Sequence, residues 1–156
     1  MNKTPIKIPK DIKDIMKKTI DSCNEQVDYQ GWRYSTNVGI DEYDPFDINE
    51  SSIQEAFWYG VQFLRENFGK KGSKETVSSY DLKHAFEKWW SINYPHATKI
   101  YMSNGIMLIA IVYANLAPDE LWYSMDLSQY ACINKQKWIK FCTNYDYNPK
   151  NDLEDE

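Results

Sequence analysis

Histidine is almost missing from this chain: His84 and His96 are the only two in 156 residues, so any imidazole-based catalysis or metal binding must use them. Cysteine is scarce too. Cys23, Cys132 and Cys142 are an odd three, widely spaced, with no CxxC pair to frame a zinc site or a disulfide scaffold, which points to a reducing compartment. Six glycines and six prolines are too few for a collagen-like or low-complexity chain, and no run of about eighteen uncharged apolar residues exists to span a bilayer. The stretch "MNKTPIKIPKDIKDIMKK" carries charge where a signal peptide is apolar, so the expectation is an unexported, cytoplasmic protein without membrane contact. GxxxxGK[ST], GxSxG, HExxH and GxGxxG are all absent. No cofactor is expected; the reading favours a non-enzymatic protein and leaves open an enzyme with Tyr80, Lys83 and His84 as acid, base or anion holder.

What the chain does have is apolar and aromatic mass: 42% hydrophobic residues, with twelve Tyr, six Trp and six Phe. At 18.5 kDa this fits one compact domain over 1–147, followed by an acidic tail over 148–156. The net charge of -5 and pI near 5.1 oppose a general attraction to nucleic acid. The charge is uneven, with six Lys against two Asp in residues 1–20 and eight acids against one Arg in residues 21–50.

Apolar spacing predicts a mainly α fold of five or six helices around one buried central helix, with a small β-hairpin near residues 29–48. After Pro9, the positions Ile12, Ile15, Met16, Thr19, Ile20 and Cys23 make one helical stripe. Ser52 and Glu55 have capping-box spacing ahead of Ile53, Phe57, Val61, Leu64 and Phe68, and Gly69 closes that helix. Ser78 or Ser79 caps a third helix with Leu82, Phe86 and Trp89 facing inward. Ser103 caps a fourth whose residues Ile106 to Leu116 are apolar almost without break, so this helix is expected to be the core. Pro118 opens a helix over 119–127, and Asn134 to Thr143 form the last.

The polar side of the third helix holds Tyr80, Lys83, His84 and Glu87, while Tyr101, Ser103, Asn104 and Gly105 open the fourth. A polar pocket between them would use helix-end amides to hold phosphate or a partner's carboxylate. The structural alternative is that Ser103 caps, Gly105 permits close packing, and Lys83 pairs with Glu87. His84 and Glu87 are half of a metal-binding pair whose second half is missing, and Asp41, Glu42, Asp44 and Asp47 lack calcium-loop spacing, so no metal site is expected. A helix-turn-helix reading fails because the fourth helix offers a major groove almost nothing but methyl groups.

The strings "SSYDLKHAFEKWW", "YMSNGIMLIA" and "LWYSMDLS" resemble a pattern of small uncharacterised phage and mobile-element proteins, S-Y-x-L-K-H-x-x-E followed by Y-x-S-N-G and a short aromatic-rich segment. The resemblance covers Ser79 to Ser128, about a third of the chain, and departs at Ala114 to Leu116, where a glycine-containing helix end is expected. It implies origin rather than mechanism. Together with the aromatic surplus it leads to a binding protein that docks on a protein partner as an inhibitor of a host system, with Trp32, Tyr34, Tyr43 and Phe46 as the contact surface. The alternative is a nucleic-acid accessory protein whose cations are Lys3, Lys7, Lys10, Lys13, Lys17 and Lys18, with Lys70, Lys71 and Lys74 of the linker.

Overall fold

A computed structural model describes residues 3–23, 26–32, 44–74, 76–95, 97–119 and 128–149. The described residues form helices α1 (Ile12–Ser22), α2 (Ser51–Asn67), α3 (Ser79–Asn93), α4 (Asn104–Tyr113) and α5 (Lys135–Asn144). Four two-residue strands accompany them: β1 (Val27–Asp28), β2 (Gly31–Trp32), β3 (Val77–Ser78) and β4 (Tyr130–Ala131). β1 and β2 make an antiparallel hairpin, and β3 pairs antiparallel with β4. The fold is mainly α, as expected. Among the described residues no helix is long and apolar enough to cross a membrane.

The apolar run after Ser103 cannot give any face to water at low cost, and it becomes the hub. Residues Gly105 to Ile111 are all buried, and α4 touches α1, α2, α3 and β2. Each buried Ile or Leu there contributes about 2 kcal/mol, more than the roughly 1 kcal/mol of a good cap, so burial rather than capping holds the helix in place. Gly60 of α2 lets the two helices close: a Cβ there would stand 2.9 Å from Met102 and 3.4 Å from Ala110. α4 stops earlier than its apolar pattern, at Tyr113. Asn115 takes φ 61, the left-handed conformation that Asn tolerates better than most residues, and Leu116 N donates back to Ile111 O. Asparagine thus does at this helix end what a glycine was expected to do.

Local signals fix most of the other ends. Ser78 Oγ accepts from Asp81 N at 3.1 Å, and Asn134 caps α5 by accepting from Lys137 N at 3.1 Å. Gly69 follows α2 with φ 60. The start of α2 differs from expectation. An Asx turn at Asp47, whose Oδ1 accepts from Asn49 N, feeds the chain into the helix at Ser51, so Ser52 lies inside the first turn and its Oγ donates to Glu50 instead of capping. The hairpin is also tighter than expected: Val27 and Asp28 pair with Trp32 and Gly31 around Tyr29 and Gln30, and residues 33–43 lie outside the described set. Most of the helix expected over 119–127 lies outside it as well.

Candidate functional site

The residues expected to line one pocket fall into two groups with opposite surroundings. Ser103, Asn104 and Gly105 are at the amino end of α4, beneath the β1–β2 turn. Gly105 N donates to Tyr29 O at 3.1 Å, and Ile106 N to Ser103 Oγ at 3.0 Å. Those are amides an anion would need, and the protein has used them. The approach is so close that a Cβ on Gly105 would lie 1.9 Å from Asp28 O. This half of the expected pocket is therefore filled by the chain itself.

Asn104 extends the same closure sideways. Its Oδ1 accepts from Ser79 Oγ at 2.6 Å, and its Nδ2 donates to Gln30 O at 3.1 Å and Ser128 Oγ at 3.3 Å. Ser79 Oγ in turn accepts from Gln129 N at 3.0 Å, and Gln129 Oε1 accepts from the Trp32 indole N–H at 3.0 Å. Ser79, Ser128 and Gln129 are almost fully buried, so this chain of bonds is a polar seam that ties α3, α4, the hairpin and the segment before β4 together. Trp32 is 1% exposed and belongs to that seam and the core, which corrects its assignment to a partner surface: its ring is buried and its one donor is satisfied inside. Phe46 is partly buried and meets Tyr29 edge-on at 6.4 Å. Tyr34 and Tyr43 lie outside the described residues.

The second group stands on the outer side of α3. Tyr101 is 64% exposed and Tyr80 37%, and the Lys83 ammonium lies 5.6 Å from the Tyr80 ring centre and 5.9 Å from that of Tyr101. Tyr101 is backed by Tyr29, stacked at 6.2 Å, and His84 meets Tyr80 edge-on at 4.6 Å. Glu87 pairs with His84 at 3.4 Å, Nδ1 to Oε1, rather than with Lys83 as expected, because the lysine reaches across the rings. Burial alone would raise the Glu87 carboxyl, but the hydrogen bond from His84 and the charges of His84, Lys83 and Lys99 outweigh it and hold the group below its usual range. Tyr29 is shifted the other way, upward, by burial and by Tyr101, Asp44 and Glu50.

Beside this face a groove of about 330 Å³ runs between the end of α3 and residues 97–100, with Trp90, Tyr94, Pro95 and Ile100 in its lining and Glu87 and Lys99 contributing charge. Trp90 and Tyr94 are stacked at 4.3 Å, and burial pushes the Tyr94 phenol up to about 12. A wider depression of about 660 Å³ opens elsewhere, by Lys3, Arg65 and Glu66. It is spanned by the Lys3–Glu66 ion pair. Burial lifts the thiols of Cys23 and Cys142 to about 11, which leaves both unreactive at neutral pH. Among the described residues no group of three His, Cys, Asp or Glu side chains is placed to hold a metal ion.

The described residues form a small helical fold with a sealed polar seam and an exposed face of tyrosine, lysine and histidine. No family model, curated protein or solved structure matches the chain.

Proposed function

We propose that the chain is a non-enzymatic docking protein that binds a protein partner through the outer face of α3 and Tyr101, in the phage or mobile-element setting that its motifs resemble, where it inhibits a host system. The observation that carries this reading is Tyr101, a large ring left 64% exposed yet held in place by the Tyr29 ring and the Lys83 ammonium. A ring fixed in advance loses little entropy on contact, and tyrosine is among the residues enriched in binding hot spots. The helix face supplies the rest: Tyr80, Lys83, His84 and Glu87 recur at three- and four-residue spacing on one rigid element.

The nucleic-acid alternative has less support, because two of its cations are engaged within the chain: Lys3 pairs with Glu66, and Lys71 donates to Asp119 at 2.9 Å. The test is affinity capture from native-host lysate with wild type, a Tyr101→Ala/Lys83→Glu variant and a Lys17→Glu control. Docking at this face requires a protein that wild type and control retain and the double variant loses. Equal retention by all three removes the face from the function.

A further inference from the structure

We propose that the groove beside α3 takes an acidic partner segment carrying one apolar side chain, the side chain entering between α3 and residues 97–100 and its flanking carboxylates meeting Lys99 and Lys83. This inference rests on the docking reading above and names the chemistry of the segment that docks.

Charge makes the first argument. The chain carries a net charge of -5, yet among the described residues neither Lys83 nor Lys99 makes an ion pair. Glu87, the acid of the groove lining, is bonded to His84 at 3.4 Å and interacts with Lys83 and Lys99 through their charge without a direct ion pair. A neighbouring depression that shares Glu87 and Ser91 contains Lys88 and Asp146, whereas the cation in the lining of the apolar groove is Lys99, with Lys83 one helical turn before Glu87. Lys83 lies over two rings, which attract its charge without neutralising it, and it remains available to a carboxylate.

Shape makes the second. The groove lining contains the stacked Trp90–Tyr94 pair and Ile100, and its 330 Å³ suits one medium-sized side chain rather than a helix. Burying a Leu-sized group there contributes about 1.5 kcal/mol, or roughly tenfold in affinity, which is the part that a purely ionic contact would lack.

The test titrates the ¹⁵N-labelled full chain with the synthetic peptide acetyl-Glu-Asp-Glu-Leu-Asp-Glu-amide at low salt. The expected result is a set of shifts at Lys83, Lys99, Ile100 and the Trp90 indole N–H. Binding should weaken about tenfold when the central Leu is replaced by Gly, and several-fold in 0.2 M salt or in a Lys83→Glu/Lys99→Glu variant whose spectrum shows it folded. Glu87→Gln should tighten it about twofold, by removing the repelling carboxylate of the groove lining. No shift at millimolar peptide, equal binding of a peptide with Lys for every acid, or stronger binding of oligo-dT at the same residues would each overturn the proposal, the last in favour of nucleic acid. If the peptide fails while capture of a partner still depends on Tyr101 and Lys83, the docking reading stands and only the acidic chemistry falls.

Discussion

The amino end of α4 and the outer face of α3 both hold polar side chains, and Ser79 of α3 bonds directly to Asn104 of α4, yet the structure treats the two regions in opposite ways. At α4, Ser103 caps its own helix by accepting from Ile106 N, while Asn104 and Gly105 direct their hydrogen bonds to the hairpin, Ser79 and Ser128. On the outer side of α3, Lys83 lies over the rings of Tyr80 and Tyr101, and Tyr101, in the segment that follows the helix, stacks on Tyr29 while staying 64% exposed. The difference shows that polar side chains close together in sequence need not form one site. Those with a complementary backbone within reach close a seam, and those without one form a surface.

Substitutions should separate the two regions by the size and kind of their effect. The largest is expected for Gly105→Ala, whose added methyl meets the Asp28 carbonyl and forces the hairpin off α4. Urea unfolding should show a loss of about 3 kcal/mol. Asn104→Ala leaves the Ser79 and Ser128 hydroxyls short of a buried partner and should cost about 2 kcal/mol in the same assay. A loss below about 0.5 kcal/mol for either would mean that the seam is not structural.

On the exposed side the effects should be small for the fold. Because the folded-state carboxyl of Glu87 is held below its unfolded value, its contribution is complete above the unfolded value and disappears as pH falls through the folded one. The difference in melting temperature between wild type and Glu87→Gln should therefore be greatest near neutrality and shrink toward pH 3. A difference that grows in acid would reverse the assigned sign. Glu87 is partly exposed, so the whole effect should be no more than a few tenths of a kcal/mol.

The features legible in the sequence are those decided within a few residues. Ser78, Ser103 and Asn134 each cap through a bond spanning three positions, and α4 is betrayed by its own unbroken apolar run. The seam was not legible, because its bonds join residues 24 to 97 positions apart and the strands that frame it are only two residues long, too short to show alternation. Trp32 is the clearest case: nothing near it in the chain indicates that Gln129 will meet its indole. The exposed face was largely legible, since helical spacing places Tyr80, Lys83, His84 and Glu87 together and the expected pocket includes Tyr101, but only the fold brings Lys99 alongside.

Tyr29 belongs to both regions. Its carbonyl receives the Gly105 amide while its ring supports Tyr101, so the hairpin turn is a mechanical joint between the interior and the presented ring. A partner that displaced Tyr101 would therefore have to move Tyr29, the residue whose carbonyl holds the first turn of the central helix.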